Sequence, residues 1–235
     1  MTCRRCGFRF TDLSTWKYPY AEKDYYNNAT LNPPNLQHAF LHRRVSQITR
    51  HCETGRSLDV GCGFGEIPLL LHARGFSAAG LDESLVTIDY LQAHYPQVEW
   101  YRGEISALIP KLGQFDVVTL YHVLEHIPNP VDILRVLRSI VRPGGYLVIE
   151  VPNAGGLKAR INRHHWHYYL EHHVNYFQGK HLRMLAKRIG FTTLEVAGFH
   201  DFTYPTGAKW KVAMKSILGS VGFRDVVSIV MQCPA

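Results

Sequence analysis

Apolar positions along the chain switch repeatedly between two spacings. In 36–52, Leu36, Phe40, Val45 and Ile48 recur at near-helical intervals and predict a helix that ends at Glu53-Thr54-Gly55. Beyond it, short apolar runs read as strands at 57–60, 77–81, 98–102, 115–120, 146–151, 192–196 and 226–231. Helical patterns separate most of them. One covers 66–74, with Pro68 in the first turn, where a missing N–H costs nothing, and Gly75 after the end. Others cover 84–94, stopping before Pro96, 131–141, with Ile133, Leu134, Leu137 and Ile140 on one face, and 180–189, closed by Gly190. A turn is expected at Pro143-Gly144-Gly145.

Strands alternating with helices define an α/β class, a mostly parallel, doubly wound sheet covered on both faces. Ligands of such sheets bind beyond the carboxyl ends of the strands, where strand order reverses. The informative residues are therefore those that follow each strand.

After the first strand comes Asp59-Val60-Gly61-Cys62-Gly63-Phe64-Gly65-Glu66. A glycine turn between strand and helix lets the backbone approach a ligand and leaves free N–H groups at the helix start. The spacing is G-x-G-x-G, with Glu66 where a dinucleotide turn has its third glycine and where a pyrophosphate would be repelled. No Lys-Ser or Lys-Thr pair follows, so an NTPase phosphate loop is excluded. S-adenosylmethionine suits the turn better, because it carries a carboxylate, an ammonium and a sulfonium but no phosphate. Asp59 is placed to face its cationic part.

The second strand ends at Asp82, about twenty residues after Gly61, the offset of a ribose-binding acid. The third is followed by Glu104 and Ile105, an acceptor for an adenine amino group and an apolar contact for the ring. Three acids, each after a consecutive strand, point to a nucleoside.

Together Asp59–Gly65, Asp82, the Glu104 region, Phe115-Asp-Val-Val-Thr-Leu-Tyr-His-Val-Leu-Glu-His-Ile-Pro-Asn-Pro130 and Arg142-Pro-Gly-Gly-Tyr-Leu-Val-Ile-Glu-Val-Pro152 resemble the class I S-adenosylmethionine-dependent methyltransferases. Residues 153–191, with His172-His-Val-Asn-Tyr-Phe177, resemble the branch that modifies sugars, quinones and other small metabolites. The resemblance covers roughly 36–199. It implies a Rossmann-like seven-stranded sheet in the order 3-2-1-4-5-7-6 with strand 7 antiparallel. It also implies that Tyr121 and its neighbours His122 and Val123 line the sulfur end of the cofactor, and that Glu125 and His126 are mainly structural. The family has Asp where Glu104 stands.

A methyl sulfonium is already a strong electrophile, so the protein's task is to place a nucleophile in line with it and, for a hydroxyl or carbon acid, to accept a proton. Of the 14 histidines, the run from His164 to His173 follows the fifth strand on the substrate side. His173 matches the family's His-x-x-Tyr/Phe-Phe pattern, and His172 stands where the family often has an acid. His173, with His172 beside it, is the candidate base or substrate-orienting group, against a packing role for the same loop.

No metal site is expected. His164, His165 and His167 lack a structural zinc spacing, and Cys3-x-x-Cys6-Gly7 is only half of a zinc ribbon. Five irregularly spaced cysteines exclude a disulfide framework. Residues 1–35 are read as an N-terminal lid, with Tyr25 and Tyr26, or a remnant ribbon. Residues 36–235 form the main domain, with a helical insertion at about 203–222. There Trp210, Met214, Ile217 and Leu218 among lysines suggest a cover for the site or a helix lying on a membrane surface.

The chain has 235 residues, 46% of them hydrophobic, with no signal peptide and no run long enough to cross a bilayer, so a cytoplasmic protein is expected. The formal charge of +7 favours an acidic or phosphorylated small-molecule acceptor. No basic block marks a nucleic-acid face. The expected activity is methyl transfer from S-adenosylmethionine to oxygen or carbon of a small acceptor, such as a sugar nucleotide or lipid-linked precursor. The alternatives are a catalytically silent, cofactor-binding partner subunit and an RNA methyltransferase.

Overall fold

The computed structural model describes residues 1–14, 33–199 and 224–235. Tyr25, Tyr26 and the expected insertion at 203–222 lie outside these residues.

The chain begins with β1 (Arg9–Phe10) and α1 (Ala39–Thr49). There follow β2 (Gly55–Val60), α2 (Glu66–His72), β3 (Phe76–Asp82), α3 (Leu85–His94), β4 (Glu99–Arg102) and α4 (Ile105–Leu112). Next come β5 (Phe115–Tyr121), a 3₁₀ turn over Leu124–His126, α5 (Pro130–Ile140), β6 (Val141–Pro152) and α6 (Leu157–Asn162). After a second 3₁₀ turn, Arg163–His165, the chain ends with β7 (Asn175–Tyr176), α7 (Gly179–Arg188), β8 (Thr192–Phe199) and β9 (Val226–Gln232).

The main sheet has seven strands in the order β4-β3-β2-β5-β6-β9-β8. The first five run parallel, and β9 is antiparallel to both β6 and β8. Counted along the sheet, this is the expected 3-2-1-4-5-7-6 order with its seventh strand reversed. Order reverses at β2, which has β3 on one side and β5 on the other, so the ligand crevice opens there.

The apolar periodicities account for the layers. Every residue of β5 is buried, as a central strand covered on both faces requires. Ile133, Leu134, Leu137 and Ile140 of α5 join Leu58, Val118, Leu120, Leu147, Ile149 and Ile229 in the core on one face of the sheet. Leu41, Val45 and Ile48 of α1 pack with Leu69, Leu70, Leu71, Ile88 and Leu91 on the other. The N-terminus of α3 is capped by Ser84, whose hydroxyl accepts from Thr87 N–H at 3.2 Å.

Three departures from the sequence reading have local causes. The turn expected at Pro143-Gly144-Gly145 lies within β6, where a bulge shifts the register against β5 and Gly144 takes a φ of +76°. Helix α4 is eight residues long, too short for periodicity to announce. The two-residue strands β1 and β7 pair with each other, Arg9 opposite Tyr176, and carry no pattern of their own. That pairing docks residues 1–14 on the loop before α7, with Phe8 against Phe177 and His181. No helix among the described residues is long and apolar enough to cross a membrane.

Candidate active site

The glycine loop is shaped by its neighbours. Gly61, Gly63 and Gly65 take φ values of +69°, +50° and +80°, in the left-handed region that favours glycine. Gly61 N–H donates to Leu81 C=O at 2.7 Å, tying the loop to the end of β3. A Cβ on Gly61 would lie 2.4 Å from Val123 Cγ2, and one on Gly65 would lie 2.6 Å from the Trp100 ring. A Cβ on Gly63 would meet nothing within 4 Å. The loop is thus clamped at both ends and open over its middle glycine, where a ligand can approach the backbone.

Asp82 closes this arrangement. It is buried, one carboxylate oxygen accepting Gly63 N–H at 3.0 Å and the other Ser84 N–H at 2.9 Å. Each oxygen keeps a lone pair for a ligand hydroxyl. Asp59 sits deeper. Thr119 Oγ1 donates to it at 2.5 Å, from the strand that faces it in register. Burial pushes the Asp59 carboxyl up to about 7, helped by the nearby Glu66 and Asp82 and opposed by the Thr119 hydrogen bond and Arg44. Because that folded value lies above the ordinary 3.8, its contribution to stability is complete below about pH 4 and is lost as pH rises through 7. In the ligand-free chain Asp59→Asn therefore flattens the fall in melting temperature between pH 5 and 8. An unchanged slope would contradict the assignment.

Glu104 lies at the start of α4, exposed and hydrogen-bonded to Ser106. Ile105 is buried in the core with Leu81, against which Leu108 also packs. Glu104 thus follows the end of β4 directly, with its side chain at the surface.

Tyr121 ends β5 and is buried, its hydroxyl without a hydrogen-bond partner and its ring under the Arg44 guanidinium at 4.5 Å. Burial above all, with Asp59 and Glu150 nearby, holds that phenol protonated. Arg44 pairs with the fully buried Glu150 at 2.6 Å and 2.8 Å, and Arg43 takes the other oxygen at 2.7 Å. Burial raises the Glu150 pKa, but the two arginines and His122 outweigh it and hold it below the ordinary carboxylate value. Sequence reading missed this buried network. Its signal was present: Arg44 falls three residues after Leu41 and four before Ile48, on the buried stripe of α1.

His122 follows Tyr121 with a φ of +58°, a conformation that costs a non-glycine residue about 1–3 kcal/mol and is concentrated at functional sites. Its N–H donates to Glu150 C=O at 2.9 Å. Its Nδ1 lies 3.4 Å from Glu125 Oε1 and its Nε2 lies 3.8 Å from Glu150 Oε1. The ring is 29% exposed, so it reaches the crevice while two buried carboxylates stand behind it. Next along the chain, Val123 closes on Gly61 and so joins this turn to the cofactor loop.

His173 is buried, and its Nδ1 lies 2.9 Å from Tyr168 C=O. Burial first, then the neighbouring His126 and His172, lower its pKa to about 4, against the pull of Glu125 and the Tyr168 hydrogen bond. His172, half-buried, is lowered by burial and by His126, against the pull of Glu125 and Glu171. The fold brings both against His126, in the turn after β5.

Beyond the strand ends that bind ligands in doubly wound sheets, then, this chain presents a clamped glycine turn, a ribose-spaced acid and a histidine backed by carboxylates. These features define an α/β domain of the doubly wound class with its candidate ligand groups at the carboxyl ends of the strands. Comparison with known proteins fixes the family. Residues 35–196 match the family model described as "Methyltransferase domain", and the chain belongs to that family.

Among curated relatives, the ubiquinone biosynthesis O-methyltransferase of Marinobacter nauticus is 31% identical over 130 residues, covering 52% of this chain and 52% of that protein. The enzyme of the same name from Pseudomonas aeruginosa is 34% identical over 110 residues, covering 41% of this chain and 44% of the other. The chain spans about half the length of these relatives. The fold also matches a SAM-dependent methyltransferase from Archaeoglobus fulgidus, with a TM-score of 0.63, 19% identity and coverage of 82% of this chain and 92% of that one. A 1,6-didemethyltoxoflavin-N1-methyltransferase from Burkholderia thailandensis, solved with S-adenosylhomocysteine bound, matches with a TM-score of 0.59, 15% identity and coverage of 85% and 80%.

Proposed function

We propose that this chain transfers a methyl group from S-adenosylmethionine to a hydroxyl of a small acceptor. The observation that carries the reading is the glycine turn, open over Gly63 and locked by Asp82 at the crevice where strand order reverses. The donor set fits the cofactor. Asp82 keeps acceptor capacity for ribose hydroxyls, Glu104 stands at the adenine rim with Ile105 beneath it, and the free N–H groups of the loop suit a carboxylate. Gly61 and Gly65 hold the loop in shape, Asp59 lies beneath it, and Tyr121 borders the far end. When bound, S-adenosylmethionine supplies an electrophilic methyl group on its sulfonium.

The protein's own part is positioning and proton transfer. His122 takes the acceptor's hydroxyl proton, and Glu125 and Glu150 balance the charge that forms on its ring. His173 and His172 orient the acceptor from the loop over the turn; the carbonyl of Tyr168 fixes the His173 ring. The named activity of the relatives makes a phenolic hydroxyl on a small aromatic acceptor the first to test, with sugar nucleotides and lipid-linked precursors next. The net charge of +7 suits an acidic or phosphorylated member of either group.

The test is transfer of label from methyl-labelled cofactor to a panel of catechols, other phenols and sugar nucleotides. Transfer to phenols supports the reading; binding of cofactor without transfer to any class would favour a silent partner subunit. His122→Gln should lower kcat by about a hundredfold or more, the usual contribution of a positioned acid–base group, and leave cofactor affinity unchanged. Equal losses in kcat and cofactor affinity would instead make His122 a support for the loop.

A further inference from the structure

We infer that His126, His172 and His173 form a binding site for one divalent transition-metal ion of the zinc and cobalt class. The three ring centroids stand 5.1, 4.8 and 4.8 Å apart, a nearly equilateral triangle. Three imidazoles around a tetrahedral ion, each with a metal–nitrogen bond near 2.1 Å, place their centroids roughly 5.2 Å apart. One ligand atom from each residue can be chosen so that all lie within 4.8 Å of one another. A tetrahedral ion wants about 3.4 Å between them, a distance reached by small rotations of the rings.

The surroundings have the character of a ligand site. Nδ1 of His126 lies 3.1 Å from His172 C=O, and Nδ1 of His173 lies 2.9 Å from Tyr168 C=O. In both, a backbone carbonyl takes the Nδ1 proton and leaves the Nε2 lone pair directed away, the arrangement that orients metal-bound histidines. Behind them lies Glu125, 1% exposed, with the His122 ring 3.4 Å from one of its carboxylate oxygens. A cation in the triangle adds a second positive charge beside this buried carboxylate.

The two segments are also fixed in advance. Val174 N–H donates to Glu125 C=O at 2.9 Å, and Thr11 donates to His173 C=O from its hydroxyl at 3.3 Å and to Val174 C=O from its N–H at 2.9 Å. The N-terminal strand thus braces the histidine pair. All three ligands are imidazoles, which suit zinc, cobalt, nickel and copper and not magnesium or calcium. With three protein ligands a fourth position stays open to water or to an acceptor oxygen.

The test is titration of the metal-free full chain with Co²⁺, read by its visible absorption and followed by competition with Zn²⁺. The expected result is saturation at one ion per chain with no thiolate charge-transfer band. His126→Gln and His172→Ala should each weaken binding at least a hundredfold, and Cys3→Ser combined with Cys6→Ser should leave it unchanged. Zn²⁺ should raise the melting temperature of the parent chain and not of His126→Gln, because only a native-state ligand stabilises. Both single variants lie at half-buried rings, and circular dichroism is the check that they fold. Failure to saturate below millimolar Co²⁺, undiminished binding in the two histidine variants, or loss in the cysteine variant would each overturn the proposal. None of these readouts depends on methyl transfer.

Discussion

Replacing Asp82 with alanine should raise the dissociation constant for S-adenosylmethionine about a hundredfold and lower stability in the same protein. Its carboxylate, 5% exposed, takes the N–H groups of Gly63 and Ser84. Alanine leaves both donors unpaired, at about 1–3 kcal/mol each where water cannot replace the partner. It also removes the charged acceptor for the ribose, and hydrogen bonds to charged groups contribute about 1.5–3 kcal/mol. The freed Gly63 N–H no longer fixes the left-handed turn, so the loop loses its shape as well as its ligand contact. Asp82→Asn keeps one acceptor oxygen and should lie between the parent and alanine. Calorimetry with the cofactor and thermal melts of the ligand-free chain read the two effects separately. Cofactor affinity unchanged in Asp82→Ala would remove Asp82 from the site.

The largest loss of stability is expected from Arg44→Ala. Arg44 is 8% exposed and holds Glu150, itself 1% exposed, through both Nε and a terminal nitrogen. Removing one partner of a buried ion pair leaves the other charge uncompensated, at about 3–5 kcal/mol. For a chain of this size that amounts to roughly 10 °C in melting temperature. Arg43 is less buried and makes a single contact to the same carboxylate, so Arg43→Ala should cost less. Combining Arg44→Met with Glu150→Leu removes both charges and should be milder than Arg44→Ala alone. The functional consequence follows from position. Glu150 C=O accepts His122 N–H, so a shift at the end of β6 moves the proposed base. A melting temperature for Arg44→Ala within two degrees of the parent would show that water already reaches this pair.

Much of the framework was legible in the sequence because burial on both faces writes itself as continuous apolar runs. Phe115–Tyr121 is the clearest case: the run marks the central strand, and the residue after it enters the crevice. Gly61, Gly63 and Gly65 were legible because positive φ is a requirement one residue type meets cheaply, and Asp82 because the length of a β-α-β unit fixes its offset. What sequence could not show is which distant polar groups meet. Arg44 and Glu150 are separated by more than a hundred residues, and only the packing of α1 on the sheet joins them. The histidines divide the same way. The expectation of no metal rested on the spacing of His164, His165 and His167, which are neighbours in sequence, and on the half ribbon at Cys3 and Cys6. The fold instead gathers His126 from the turn after β5 with His172 and His173 from the loop before β7. No spacing rule anticipates a triangle made from two segments.

The central claim is that the glycine loop and Asp82 hold S-adenosylmethionine. It is tested most directly by calorimetric titration of the purified chain with that cofactor and, separately, with NAD. The account predicts saturable binding of one S-adenosylmethionine per chain and none of NAD. No binding of S-adenosylmethionine at millimolar concentration, or binding of NAD in its place, would contradict it.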